Sequence, residues 1–343
     1  MDPREQIRKA FLEKTPLSIC GGGSKNFLNP APLPEQKLHT TGKKGVLDYQ
    51  PEELFIRARA GTPLQEIENL LHEEQQMLPF EPPRFSSRAT LGGCIASGIS
   101  GPARPWRGAV RDYVLGCVLI NGKGERLHFG GEVIKNVAGY DVSRLQCGAF
   151  GTLGLLEELS IKTLPAPEQE HTLELELDEP GALEQMQRWN RLPLPLSAAA
   201  WQQGRLRIRL SGTSAAVAQG RRHIGGEISS DNNYWQDLKE QKLPFFQSDK
   251  PLWRISLPRD CGALKLPGET LMDWGGAQRW LLSNSAYQEL SAIAAGAGGY
   301  ASPYHAYPPV PLAPALLRLH QRLKKAFDPA GILNPGRLFT QAS

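Results

Sequence analysis

Residues 90–112, TLGGCIASGISGPARPWRGAVRD, set five glycines beside three arginines (Arg104, Arg107 and Arg111) with Asp112 as the single acid. Glycine lets the backbone take positive φ and approach a ligand closely. Successive free N–H groups in such turns form an anion-binding concavity, and arginine adds a fixed, multi-donor cation. The chemistry this composition suits is phosphate binding. A Gly/Pro-rich surface loop with solvated arginines would look the same, so other segments must decide.

Two of them bear on the question. A short strand-like run, PLSIC, feeds directly into GGGSKN at residues 21–26, where three consecutive glycines leave only backbone to meet a ligand. The spacing is neither that of a Walker loop nor that of a dinucleotide fingerprint followed by a helix, and a flexible turn is the competing reading. In the third segment, GGEVIKNVAGYDVSRLQCGAFGTLGLLEELSIK, residues Lys135, Asn136, Tyr140, Asp141 and Arg144 crowd between glycines, and Gly148, Gly151 and Gly154 surround Thr152. Polar side chains so concentrated need water or a ligand to satisfy them.

The elements that must position these loops are legible in outline. Residues 45–49 and 54–60 read as strands, the second alternating Leu54, Ile56, Ala58 and Ala60 with Phe55, Arg57 and Arg59. Gly61 ends it, and Thr62-Pro63-x-Gln65 predicts a helix with Thr62 as N-cap and a capping box, its stripe formed by Leu64, Ile67, Leu70 and Leu71. PFEPPRFSSR is a proline-rich connection that leads into residues 90–112. Residues 113–120 are almost wholly apolar, as in a strand covered on both faces. Asn121-Gly122 marks a hairpin whose return strand is 125–129, and a further strand closes the region at 155–163.

With 343 residues the chain is expected to form two domains. Its net charge of +4 is too small and dispersed for a nucleic-acid partner. No apolar run reaches the length of a membrane span. The opening MDPREQIRKAFLEK reads as an amphipathic helix with Ile7, Ala10 and Phe11 inward, not as a signal-peptide core. The expected compartment is the cytoplasm, with any peripheral association at the inner membrane face made through partners. Five widely spaced cysteines (Cys20, Cys94, Cys117, Cys147 and Cys261) without a CxxC pair argue against a disulfide framework and against a metal site on this chain.

The ordered set GGGSK, LPFEPPRF, ATLGGCIASGISGPARPWRGAVRDYVLG, FGGEVIKNVAGYDVSRL, FGTLG and DPAGILNPGRLF resembles the FAD-binding subunits of bacterial glycolate oxidase. These belong to the vanillyl-alcohol-oxidase/PCMH flavoprotein superfamily. The resemblance covers residues 1–165 and the last thirty or so, and is weak between. It implies an α+β protein with a PCMH-type FAD-binding domain of two α/β subdomains, the cofactor lying between them. The pyrophosphate would lie on Gly21, Gly22, Gly23, Ser24 and Lys25 and on the turn Leu91, Gly92 and Gly93, with Pro82 and Thr90 beside them. Ser97, Gly101, Arg104, Arg111 and Asp112 would run along the cofactor, and Lys135, Asn136, Gly139 and Tyr140 near it. Gly148, Gly151 and Gly154 around Thr152 would close the adenine side, and Asn334 and Arg337 in the tail would touch FAD, a structural turn being the competing reading. Several members of the superfamily attach FAD through a histidine in the first loop. Here no histidine precedes His39, so non-covalent FAD is expected.

From residue 165 the composition shifts. Strand-like runs at 172–177, 196–201, 206–210, 253–257, 271–274 and 279–282, with helices at 181–190 and 213–222, predict a smaller ferredoxin-like α+β cap domain. The domain boundaries expected are 1–165, 166–310 and a tail of 311–343 returning to the FAD domain. That tail begins with a basic amphipathic helix, Leu316, Leu319, Leu323 and Phe327 on one face and the charges solvated. The paired histidines, acid and Gly-Glu-His segment of the related catalytic 2-hydroxy-acid dehydrogenases have no counterpart, and His305 reads as structural. The resemblance therefore implies an FAD-binding subunit in a glycolate-oxidising complex, with a catalytic FAD-containing subunit and an iron–sulfur subunit as partners. Two alternatives stay open. In a self-sufficient dehydrogenase Arg254 or Arg337 would bind the carboxylate and Tyr140 or His305 would take the proton; an assembly subunit would keep the fold without using flavin.

Overall fold

The computed structural model describes residues 2–28, 32–131, 141–305 and 312–338. The chain divides into two compact units, one formed by residues 1–99, 109–165 and 306–343 and the other by residues 100–108 and 166–305.

The first unit holds a parallel pair, β1 (Ser18–Cys20) and β2 (Lys37–His39), and strands β3 (Val46–Gln50), β4 (Phe55–Arg59), β5 (Gln76–Met77), β6 (Val114–Ile120), β7 (Arg126–Gly130), β8 (Leu155–Lys162) and β9 (Leu164–Pro165). Five of them make one antiparallel sheet in the order β3-β4-β8-β6-β7. Helices Leu64–Glu73 and Leu91–Ser97 share a core with this sheet, in which Ile56, Leu64, Ile67, Leu71, Leu91, Ile95, Leu119 and Leu159 are fully buried. A second, smaller core gathers Ile7 and Ala10 of helix Pro3–Glu13, Leu17, Leu38, and Ile332 and Leu333 of the tail. The near-continuous apolar run of β6 is buried at every position except the half-buried Leu115, as a strand covered on both faces requires.

Two local expectations change. The helix after Gly61 begins at Leu64 with Pro63 in the cap position and no side-chain cap. Thr62 is spent elsewhere: its Oγ1 accepts from the Gly45 N–H at 2.9 Å, tying the helix entry to the loop before β3. The last helix, Pro314–Phe327, leaves Leu316 and Leu319 of its apolar face exposed, while Lys324 on its basic face is buried. Tertiary demand for a cation at that point overrides the solvated-charge reading.

In the second unit, strands β10 (Gln169–Glu176), β11 (Leu196–Gln202), β12 (Arg205–Gly212), β13 (Glu227–Ile228), β14 (Leu252–Ser256), β15 (Glu269–Asp273), β16 (Gln278–Leu282) and β17 (Tyr300–Pro303) form one sheet in the order β13-β10-β12-β11-β15-β16-β14-β17. Helices Glu179–Trp189 and Ser214–Ile224 connect the first four strands in β-α-β-β-α-β sequence, so the order β13-β10-β12-β11 is the ferredoxin-like 4-1-3-2 arrangement. The order β17-β14-β16-β15 repeats it, with helix Tyr287–Gly296 before the last strand. The predicted ferredoxin-like half is therefore present twice, the copies joined edge to edge through Trp201 and Met272. Both expected helices are capped by a side chain, Asp178 accepting from Gly181 N and Thr213 from Ala216 N.

Candidate functional site

An open cleft lies within the first unit. It is built where β1 ends. The chain leaves Cys20 into the glycine loop, and no hydrogen bond among the described residues engages the N–H groups of Gly21, Gly22, Gly23 or Ser24. Four consecutive amides facing a cleft with nothing to donate to form an anion nest. Gly22 cannot be replaced there, since a Cβ would stand 1.5 Å from the Arg88 carbonyl oxygen. Gly23 takes φ +74°, which turns the loop back toward Lys25.

The opposite wall is the start of helix Leu91–Ser97. Thr90 is its N-cap and accepts from Gly93 N at 3.2 Å. Gly92 N donates to Ala60 O at 2.7 Å, and a Cβ on Gly92 would meet the Ala60 methyl at 2.7 Å, so glycine lets the helix close onto the end of β4. These first-turn donors are thus committed to protein. This wall offers surface and space, and the free donors come from residues 21–24.

The third wall comes from the tail and from residues 146–156. Asn334 clamps two segments: its Oδ1 accepts from Ile19 N at 2.7 Å and its Nδ2 donates to Phe150 O at 2.6 Å. Arg337 donates to Leu28 O at 3.1 Å and lies over the Phe150 ring at 5.2 Å, yet its buried Nε has no partner. Burial pulls this guanidinium below the usual arginine value, which the Cys20 thiol beside it opposes. Gln146 is 2% exposed, and its amide nitrogen is likewise unpartnered. Lys25 and Arg337 line the cleft as cations, and no acid does so among the described residues. A cavity with free amides, two cations and unspent buried donors fits an anionic, acceptor-rich ligand, as a pyrophosphate with its flanking nucleoside is.

Of the residues singled out from sequence, the cleft brings together Gly21, Gly22, Gly23, Ser24, Lys25, Thr90, Gly92, Gly93, Ser97, Gly151, Gly154, Asn334 and Arg337. Leu91 is fully buried in the core, and Pro82 and Thr152 are buried away from the lining. Thr152 donates to Ala149 O at 2.7 Å instead. Arg111 and Asp112 are solvent-facing, their side chains 3.9 Å apart and outside the lining. Gly101 and Arg104 belong to the second unit, where Gly101 O accepts from the Trp274 indole and Arg104 lies over that ring at 4.4 Å. Lys135, Asn136, Gly139 and Tyr140 lie outside the described residues. His305 packs edge-on to Tyr304 with ring centroids 4.8 Å apart.

Among the lining residues that sequence reasoning missed are Ile19, Thr40, Gln146 and Phe150. Gln146 alone left a signal, an uncharged polar residue set between the Asp141–Arg144 cluster and the glycines that follow. Its orphaned amide carries a prediction. Gln146→Leu is expected to weaken FAD binding roughly tenfold while leaving the flavin-free chain as stable or stabler, because a buried donor without a partner costs about 1–3 kcal/mol. Titration of apoprotein with FAD and urea melts of the same samples check both halves. A purely structural Gln146 would lower stability and leave the affinity unchanged.

Comparisons with known proteins agree with this geometry. The family model described as an FAD binding domain matches residues 4–130, and that of the C-terminal domain of FAD linked oxidases matches residues 285–338. The glycolate oxidase subunit GlcE of Escherichia coli (strain K12) is 46% identical over 339 residues, 98% of this chain and 96% of that protein. Glycolate oxidase subunit GlcD of Bacillus subtilis (strain 168) is 41% identical, but over 27% of this chain and 20% of its own length. A D-lactate dehydrogenase of Anaerostipes hadrus is 32% identical over 36% of this chain and 25% of that protein. Among solved structures, alkyldihydroxyacetonephosphate synthase superposes with a TM-score of 0.68 over 97% of this chain and 73% of its own, at 15% identity. That likeness concerns the fold alone.

Proposed function

The chain belongs to the family of glycolate oxidase GlcE subunits, and on that premise we propose that it is the FAD-binding subunit of a multi-subunit, FAD-dependent glycolate oxidoreductase. The observation that carries the reading is the loop of free amides at residues 21–24, facing a cleft whose charged side chains are both cations. When bound, FAD supplies the two-electron chemistry that a 2-hydroxy acid requires. The protein's part is to hold it: residues 21–24 donate to the pyrophosphate, Lys25 and Arg337 balance its charge, and Gln146 gives its amide N–H₂ to an acceptor on the cofactor. Asn334 keeps the tail wall in place through Ile19 and Phe150.

The partners we infer are a GlcD-type flavoprotein that holds the substrate and an iron–sulfur subunit that accepts electrons. The D-lactate dehydrogenase likeness covers about a third of this chain, so it supports a common flavin-binding part and not a common substrate pocket. No group of three or more His, Cys, Asp or Glu side chains placed to hold a metal ion occurs among the described residues. No helix among them is long and apolar enough to cross a membrane. The cytoplasm, with membrane association only through partners, is the compartment we propose.

The first loop carries Gly23-Ser24-Lys25 and no histidine, so the attachment is non-covalent. Acid precipitation of the purified chain is expected to leave all flavin in the supernatant; colour on the pellet would contradict this. Anaerobic glycolate added to the chain alone is expected to leave the flavin absorbance unbleached, and to bleach it once the catalytic partner is present. Bleaching of the lone chain would make it a self-sufficient dehydrogenase.

A further inference from the structure

The first unit carries a second concave site, on the outer face of its five-stranded sheet, that the flavin reading does not use. Arg4, Lys43, Arg59 and Arg126 line it together with Asp2, Glu157 and Glu158. Arg59 ends β4 and points away from Ala58, which is buried in the core. On β8, Glu158 faces Val118 and Leu156 faces Leu119, so Glu157 is an extra residue in the pairing and both carboxylates reach the site. Helix Pro3–Glu13 closes one side. Its first turn packs on the hairpin after β6, the Arg4 carbonyl oxygen lying 2.9 Å from where a Cβ on Gly124 would stand.

The acids of the site are all engaged. Glu157 pairs with Arg126 at 2.7 Å and with Lys43 at 3.7 Å, and Glu158 pairs with Arg126 and with Arg57, each at 2.9 Å. Asp2 pairs with Lys43 at 3.7 Å, and its Oδ1 accepts from the Arg4 backbone N–H at 3.4 Å. Two guanidinium groups are left over. Neither Arg4 nor Arg59 makes a side-chain hydrogen bond or ion pair among the described residues, and the Arg4 Nε is buried without a partner. A buried donor on a charged group costs more to leave unsatisfied than a neutral one. Arg59 is exposed, so the site is open to a small solute.

We propose that Arg4 and Arg59, flanked by Lys43 and Arg126, form a binding site for a phosphate dianion, free or as the terminal group of a small monoester. Charge and geometry both select this class. The two unpaired guanidinium groups leave two positive charges, which a dianion cancels and a monocarboxylate does not. Each guanidinium presents a fork of two parallel N–H groups, so two forks call for up to four acceptor oxygens on one centre. Phosphate supplies them, and a carboxylate has only two. The three carboxylates in the lining repel longer polyanions, which limits the ligand to a single phosphate group. Binding here transfers no proton and moves no electron. It goes beyond the FAD-subunit reading and does not depend on it, because no residue of this site lines the cofactor cleft.

The test is calorimetric titration of the FAD-loaded full chain at low ionic strength and about pH 8, where phosphate is a dianion. Inorganic phosphate, glycerol 3-phosphate and succinate are the titrants. A single saturable phosphate site is expected, with succinate at least roughly tenfold weaker. Arg59→Gln, at an exposed position, is expected to weaken phosphate roughly tenfold or more at unchanged flavin content, as the loss of a charge-assisted contact does. Arg4→Gln is expected to do the same, and Arg8→Gln, one turn along the same helix and outside the lining, to change nothing. Whichever phosphate binds more tightly identifies the ligand as the free ion or a monoester. No saturable heat, undiminished binding in both variants, an equal loss in Arg8→Gln, or succinate bound as tightly as phosphate would overturn the proposal. So would release of flavin by phosphate, which would place the anion in the cofactor cleft. Flavin content is read separately from the heat of phosphate binding, so failure here leaves the FAD-subunit reading standing, and the reverse holds too.

Discussion

Gly93→Asp is expected to lower the affinity of the folded chain for FAD by roughly 100-fold or more. Gly93 lines the cleft, and a Cβ built on it meets only Thr90 Oγ1, at 3.1 Å. The cap hydroxyl can give by a few tenths of an ångström, so the variant keeps the fold. The carboxylate then enters a cavity whose charged side chains are both cations and whose ligand is anionic, where like charges in a partly desolvated site repel strongly. Gly93→Asn controls for bulk and is expected to lose far less. Flavin retained in full by a folded Gly93→Asp would place the pyrophosphate elsewhere. Gly22 would be the poorer test, because a Cβ clashing with the Arg88 backbone changes the loop and the site together.

The largest expected loss of stability lies away from the cleft. Lys324 is buried, and its Nζ donates to Asp328 Oδ2 at 2.6 Å, Leu333 O at 2.7 Å and Thr152 O at 2.8 Å. Asp328, 1% exposed, also accepts from the Ile332 and Leu333 N–H groups. Burial pulls the Lys324 ammonium below its usual value, while Asp328 opposes that shift and holds the charge. Lys324→Met leaves the Asp328 carboxylate buried without its counter-ion, at a cost of about 3–5 kcal/mol. Denaturant unfolding measures it. The effect reaches the site, because Leu333 pairs with Leu17 just before β1 and residues 334–337 form the tail wall of the cleft. Lys324→Met is therefore expected to weaken FAD binding as well, and Lys324→Met with Asp328→Leu to recover part of the stability. A loss under 1 kcal/mol would mean the ion pair is dispensable.

How far the sequence reached depended on what each residue answers to. The glycine loop at residues 21–25 and the turn at Thr90, Gly92 and Gly93 were legible because backbone needs glycine for reasons local to the chain. Thr62 misled because its hydroxyl serves Gly45, seventeen residues away, and no local pattern reports such a bond. Lys324 was read as solvated for the same reason, its acceptors being set by the packing of the tail. Gly101 and Arg104 sit in one unbroken motif with Gly93, and residues 100–108 group with the second unit. The repeat of the ferredoxin-like half was invisible because the two copies share strand order and not residue pattern. Gln146 and Phe150 reach the cleft only through the packing of residues 146–156 against the tail.

The account rests on the cleft being a dinucleotide site, and titration of flavin-free full-length chain with FAD, FMN and ADP tests that most directly. Free amides at residues 21–24 and the cations Lys25 and Arg337 act on the pyrophosphate, which FAD and ADP possess and FMN lacks. Saturable binding of one FAD per chain is predicted, with ADP competing measurably and FMN at least roughly tenfold weaker than FAD. Equal affinity for FMN and FAD, or no saturable FAD binding at all, would contradict it.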